Sequence, residues 1–199
     1  MRLLLFSDLH RNIDAAKRLV DLSEDVDVVV GAGDFATMRK GLQEVIDALS
    51  AIKRPAILVP GNSESDEELK AACKSWPTAH ALHGSAVEVE GVTFWGVGGA
   101  IPTTPFGSWS YDFSEEQGRE LLKDCPQGAV LVSHSPPQGA LDMSSRGQHL
   151  GSTAVRETMQ QQRPPLVVCG HIHDSSGKSE SHGESTVVNA GPKGITWEL

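Results

Sequence analysis

Short, unbroken apolar runs alternate, over the first sixty residues, with stretches whose apolar positions recur every three or four residues. The runs RLLLF (2–6), DVVVG (27–31) and AILVP (56–60) are too short for buried helices and read as strands covered on both faces. Between the first two, NIDAAKRLVDLSED sets Ile13, Ala16, Val20 and Ser23 on one helical face, with Asn12 placed as N-cap. Between the second and third, Met38, Leu42, Val45, Ile46, Leu49 and Ile52 keep helical spacing and predict a second helix. A β–α–β–α–β order predicts parallel pairing through right-handed crossovers.

The pattern then changes. AVEVEGVTFWGV (86–97) alternates and breaks at Glu90-Gly91, which predicts an antiparallel hairpin. IPTTPFGSWSYD (101–112), rich in Pro, Thr and Ser, is loop, and SEEQ (114–117) is a capping box that opens a helix. AVLVSH (129–134) and LVVCGH (166–171) read as two more buried strands, each ending in histidine, with a helix across HLGSTAVRETMQQQ between them. STVVNAG and GITWEL close the chain as strands. No repeat, linker or low-complexity tract interrupts this order, so one α/β domain over residues 1–199 is expected.

Composition narrows the function classes. A chain of 199 residues with 39% hydrophobic content can bury a sizeable core and is neither fibrous nor disordered. No apolar run approaches the roughly 20 residues of a membrane span. The opening MRLLLFSDLH carries Asp8 and His10 where a leader needs small neutral residues, so it reads as a strand of a cytoplasmic protein. Cys73, Cys125 and Cys169 form no CxxC pair, which fits reduced structural thiols. A formal net charge of −9 argues against a nucleic-acid groove, yet it is compatible with a small phosphoester substrate. Part of such a balance can be ligand carboxylates that await divalent cations.

The polar residues fall in a meaningful place. Five expected strands run into SDLH, GAGD, PGN, VSH and CGHIH, which gives Asp8, His10, Asp34, Asn62, His134, His171 and His173. Ligands of open parallel sheets bind outside the carboxyl ends of the strands, so these side chains are expected along one edge. Gly33, Gly61 and Gly170 permit close backbone approach beside them. An Asp after a strand is ordinarily a turn former, and a lone His ordinarily a structural residue. The ordered set goes beyond turn chemistry. Carboxylate, amide and imidazole donors suit Mn, Fe or Zn, and the absence of cysteine argues against a closed structural zinc site. Seven donors exceed what one catalytic ion needs and fit two ions about 3.5–4 Å apart, which activate water and neutralise phosphate oxygens.

DLH (8–10), GD (33–34), GN (61–62), SH (133–134) and GHIH (170–173) together resemble the motif series of the calcineurin-like metallophosphoesterases, in family order and over most of the chain. That resemblance implies two mixed β-sheets packed face to face with flanking helices, a four-layer αββα sandwich. It implies a phosphoester hydrolase holding two divalent transition-metal ions (Mn, Fe, Zn or Ni) and using a hydroxide between them. Asp8, His10 and His173 would hold the first ion, Asn62, His134 and His171 the second, and Asp34 would bridge them. Asn62 would also face substrate.

The chain departs from the family at one position. Many members read Gly-Asn-His followed by Asp or Glu, with the histidine taken as proton donor to the leaving oxygen. Here the run is GNSES, and the hydroxyl of Ser63 is too weak an acid for that work. Small members without the histidine include phosphodiesterases with poor monoesterase activity, so a phosphodiesterase is expected over a phosphomonoesterase. Arg11 follows His10 and is a candidate for a phosphate oxygen, against its alternative as an exposed helix-start arginine. Phe106, Trp109 and Tyr111 either line the substrate side or fold their loop onto the body. His80, His83, His149 and His182 read as surface or structural residues. Two other functions stand beside hydrolysis of small esters. One is a scaffold, as in the retromer subunit of this fold, against which the filled ligand positions argue. The other is a nuclease, against which the acidic balance argues.

Overall fold

A computed structural model describes residues 1–199. The elements run β1 (Arg2–Phe6), α1 (Ile13–Leu22), β2 (Val28–Gly31), α2 (Leu42–Leu49), β3 (Ala56–Leu58), α3 (Asp66–Ala72), β4 (Ala79–Ala81), β5 (Ser85–Val89), β6 (Val92–Val97), α4 (Glu115–Leu122), β7 (Val130–Ser133), α5 (Thr153–Gln162), β8 (Leu166–Cys169), β9 (Lys178–His182), β10 (Ser185–Asn189) and β11 (Ile195–Glu198). One sheet has the order β11-β1-β2-β3-β4 and the other β5-β6-β7-β8-β10-β9. β1 to β4 are parallel, as are β6, β7, β8 and β10, while β11, β5 and β9 pair antiparallel. Both sheets are therefore mixed.

The alternation of a strand's side chains builds the layers. On β1, Leu3 and Leu5 join Val28, Val30, Ile57, Phe94, Val132 and Val168 in the core between the sheets. Leu4 and Phe6 point the other way, into a core with Leu19 of α1, Ile46 and Leu49 of α2, and Trp76. On the far side Leu131, Val167 and Val187 pack under Ala154, Val155 and Met159 of α5. The result is helix, sheet, sheet, helix.

Most expected elements form where the pattern places them. Asn12 caps α1 by accepting from the Ala15 N–H at 2.9 Å. Ser114 and Gln117 form the capping box of α4. Glu90 and Gly91 both have positive φ, 50° and 79°, the signature of the tight hairpin turn between β5 and β6.

Three details differ. Met38 is not on the second helix: it sits in a left-handed turn at φ 48°, half-exposed, and α2 starts only after Gly41 at φ 76°. The face α1 buries centres on Ala15, Ala16 and Leu19, with Ile13 and Val20 only partly covered at its margin. The last helix begins at Thr153 with Ser152 as cap, which leaves 149–152 as loop. Three elements have no counterpart in the apolar pattern: α3, β4 and β9. α3 is marked by a capping box of Ser65 and Glu68, whereas β9 (KSESH) has no apolar residue to betray it.

Candidate metal centre

β1, β2 and β3 of one sheet and β7 and β8 of the other end at a common edge, and the seven expected side chains sit just past those ends. Asp34 lies between two imidazoles. Its Oδ2 is 3.5 Å from His10 Nε2 and its Oδ1 is 3.6 Å from His134 Nε2. Asp8 Oδ1 is 3.6 Å from His173 Nε2 and accepts the His171 N–H at 3.1 Å, while Asp8 Oδ2 accepts from Ser7 Oγ at 2.5 Å.

The ring nitrogens are assigned by their other partners. His134 Nδ1 lies 2.7 Å from the Ala32 carbonyl and His10 Nδ1 3.2 Å from that of Ala36. A carbonyl only accepts, so in the neutral rings the proton is on Nδ1 and the Nε2 lone pair faces inward. His134 Nε2 then meets Asn62 Oδ1 at 3.2 Å, and His10 Nε2 meets His173 Nε2 at 3.1 Å. Inward lone pairs packed this closely with carboxylate oxygens fit bound cations. Asp8, His10 and His173 form one convergent group, and Asp8, Asp34 and His134 a second, with ligand atoms in each within 4.8 Å of one another. Asn62 reaches the second group through His134. His171 belongs to neither group; its ring lies edge-on to His134 with centroids 5.0 Å apart.

Charge states suit this chemistry. Burial alone would raise the Asp8 carboxyl, but hydrogen bonding to His173, the nearby His134 and the Ser7 hydroxyl outweigh it and bring it to about 2. Desolvation, reinforced by the neighbouring His134, pushes His171 down to about 3. Asp8 is thus held charged and His171 neutral, the forms that bind metal, whereas the hydrogen bond to Asp8 shifts His173 upward, so a cation there would displace a proton.

The backbone carries strain here. Asp8, His10, Asp34 and His171 have φ of 54°, 44°, 57° and 64°, a region non-glycine residues enter at a cost of about 1–3 kcal/mol each. The glycines supply clearance. A Cβ on Gly61 would collide with Asp34 Oδ1, and one on Gly170 with Asp8 Oδ2. Gly61→Ala is therefore expected to displace Asp34, to cost about 1–3 kcal/mol as overpacking does, and to lower metal content. Urea unfolding and elemental analysis check this; wild-type values for both would show that the turn yields freely.

One functional residue escaped sequence reasoning. Glu64 is fully buried, and its carboxylate accepts from Gly61 N–H at 2.7 Å, Ala36 N–H at 2.9 Å and Phe35 N–H at 3.3 Å. It ties the loop after β2 to the loop after β3, the two that carry Asp34 and Asn62. Burial and the charge of Asp34 push it up to about 7 against those amides. Its sequence signal is the acidic position that closes the Gly-Asn-His-Asp/Glu run, which GNSES keeps as Glu64.

A cleft of about 370 Å³ opens over the cluster, with His10, Asp34, Asn62, Ser63, His171 and His173 on its floor and Met38, Phe106, Trp109 and Leu150 among its walls. Of the loop aromatics, Phe106 and Trp109 face the cleft, whereas Tyr111 packs on Phe113 and His83. Arg11 does not line the cleft. It turns toward Glu44, 3.9 Å away, and its side chain fills the space beside Gly41, the exposed helix-start position weighed against a substrate role. A hollow of about 440 Å³ near Arg163 and Glu184 gathers no comparable donor set.

A sandwich of two mixed sheets with Asp, Asn and His donors at one strand-end edge is an arrangement that fits metal-dependent phosphoester chemistry. Residues 1–198 match the calcineurin-like phosphoesterase superfamily domain, and the chain belongs to that family. Its members are typically hydrolases with two divalent metal ions. The chain is 33% identical over 102 residues to UPF0046 protein T07D4.2 of Caenorhabditis elegans, covering 48% of this chain and 24% of the worm protein. It thus spans about a quarter of that curated relative. Among solved structures it resembles TT1561 of Thermus thermophilus, with a TM-score of 0.77, 20% identity, and coverage of 96% of this chain and 90% of that one. It also resembles a dimetal phosphatase from Danio rerio, with a TM-score of 0.64, 14% identity, and coverage of 96% and 88%. At these identities the structural likenesses show the fold. No helix is long and apolar enough to cross a membrane.

Proposed function

We propose that this chain hydrolyses small phosphoesters with two divalent transition-metal ions (Mn, Fe, Zn or Ni), and that it prefers diesters to monoesters. The observation that supports this reading best is Asp34, whose two oxygens face His10 and His134 on opposite sides. In this reading Asp8, His10 and His173 hold one ion, Asn62, His134 and His171 the other, and Asp34 is shared. Such a pair, when bound, supplies an activated water and neutralises the non-bridging phosphate oxygens. The protein's own part is to orient these donors, through the Ala32 and Ala36 carbonyls on the imidazoles and the Ser63 amide on Asp34. The diester preference is supported by the cleft itself: no Lys or Arg lines it to balance the second charge of a monoester. The buried free cysteines suit a reducing, cytoplasmic setting, and the acidic surface suits small substrates over nucleic acid.

The test is a phosphoester panel on chelated protein reloaded with Mn, Fe, Zn, Ni or Mg. Bis-p-nitrophenyl phosphate should be cleaved faster than p-nitrophenyl phosphate. Hydrolysis of neither with any metal would overturn the reading, and the reverse order would overturn the diester preference. Metal removal has a second readout. The carboxylates of Asp8 and Asp34 share one convergent group, so bound cations relieve their repulsion. At a metal concentration of 100 times Kd, binding stabilises by about 2.7 kcal/mol per site, and chelation of both sites should lower Tm by about 10–20 °C. An unchanged melting curve at zero metal content would contradict the paired-carboxylate picture.

A further inference from the structure

We propose that the rim of this cleft is a slot for a planar aromatic group carried by the substrate, so that the preferred ester is a monoanionic phosphodiester with one aromatic substituent. The proposal rests on the hydrolase reading above. The large exposed hydrophobic side chains of the chain are Leu22, Met38, Phe106, Met143, Leu150 and Leu199. Single exposed apolar residues are ordinary, but grouped ones mark binding surfaces. Met38, Phe106 and Leu150 all line this one cleft, joined by Trp109, and Met143 precedes the lining residue Ser144. They come from three separate loops, so no single amphipathic element explains the grouping.

Two features select the ligand. The rings of Phe106 and Trp109 stack nearly parallel, with centroids 5.6 Å apart and planes 11° from each other. Phe106 remains 50% exposed and lines the cleft, so the stack leaves aromatic surface open that a planar ring covers better than a flexible chain does. The second feature is charge. The lining holds Asp34 and Asp174 but no Lys or Arg, so a polyphosphate or an acidic substituent would meet no counter-charge on the walls. An uncharged ring attached to one phosphodiester charge fits both ends: the phosphate on the donor floor and the ring on the rim. A volume of about 370 Å³ lies at the small end of ligand clefts and suits a phosphate with a compact substituent.

An aryl ester and a nucleoside ester share this chemistry, and the test separates them. Monomethyl esters of phenyl-, cyclohexyl- and methylphosphonate carry the same single charge, and with a P–C bond and only a basic methoxide to expel they turn over slowly. Their binding to Mn-loaded protein is measured by calorimetry, beside the thymidine 5′-ester of methylphosphonate. Stacking on an aromatic side chain predicts that the phenyl ligand binds about 10-fold or more tightly than the methyl ligand, with cyclohexyl between. Phe106→Ala and Trp109→Ala should each shrink the phenyl-to-methyl ratio, and Phe106→Tyr should keep it. Thymidine tighter than phenyl identifies a nucleobase as the occupant; thymidine no tighter than methyl identifies a simple aryl group. Equal affinity for phenyl and methyl, or cyclohexyl equal to phenyl, overturns the proposal while hydrolysis of diesters stands. The expected order without hydrolysis of any diester keeps the slot and removes the hydrolase reading.

Discussion

Asp34→Ala is expected to release both metal ions and to lower the proposed phosphodiesterase activity by more than about 100-fold, since losing even an outer partner of a ligand costs about 10–100-fold. Asp34 is buried between His10 and His134, and deleting it leaves two cations close together without the anion that offsets their repulsion. The same change removes the acceptor of the Ser63 N–H, 2.8 Å from Asp34 Oδ1, and puts alanine at φ 57°. Asp34→Asn separates these effects, because asparagine tolerates the left-handed turn and keeps the shape without the charge. Both variants should show low metal content by elemental analysis, and with chelator present throughout only the alanine should unfold at markedly lower urea than the wild type. One ion kept at full occupancy in either variant would refute the shared-ligand role.

Hydrolysis should slow steeply as the leaving group becomes more basic. Ser63 stands where many relatives carry a proton-donating histidine, and it lies on the cleft floor. The imidazoles that line the cleft are His10, His171 and His173, all needed as metal donors in the proposed reading. His149 belongs to a flanking loop but is tied to the buried Asp142 at 2.7 Å and does not line the cleft. A general acid is worth about 10²–10⁴-fold, so alkyl diesters should trail aryl diesters by that factor beyond what relatives with the histidine show. Ser63→His should narrow the gap, since the backbone at 63 is held by Asp34 on its N–H and Arg39 on its carbonyl. The readout is log rate against leaving-group pKa for both proteins. A flat line for the wild type would reveal another donor.

The candidate donors were legible because they follow short apolar runs, with Asp8, Asp34, Asn62, His134 and His171 directly after a small residue, and strand ends of parallel sheets share an edge. The pairing of the sheets and the αββα layering entered only through the motif series, since apolar runs alone do not say which strands share a sheet. Periodicity misjudged Met38, because helical spacing cannot register the left-handed turn at Met38 and Arg39 or the start after Gly41. For Arg11 the contacts fit the exposed helix-start alternative: its neighbour His10 faces the cleft, but the chain turns at once and Arg11 lies beside Gly41 and Glu44. Glu64 was hidden because backbone amides define its role, two of them 28 and 29 residues away in sequence and one only three away. The apolar rim was only partly legible: Phe106 and Trp109 were candidates for the substrate side, but Met38 and Leu150 join them from two other loops, whose courses follow from tertiary packing.

The centre also straddles the seam between the two sheets. Asp8, Asp34 and Asn62 follow strands of one, while His134, His171 and His173 follow strands of the other. His134 meets the Ala32 carbonyl across that seam, and the His171 amide meets Asp8. The residues suited to chemistry are thus also fasteners of the architecture. A lineage descending from this fold that abandoned catalysis would not be free to let all these positions drift, because His134 and Asp8 would still be holding the halves in register. Retained donors in an inactive descendant would then record mechanical ancestry, and the first positions to erode would be His173 and Ser63, whose loss leaves those two seam contacts in place.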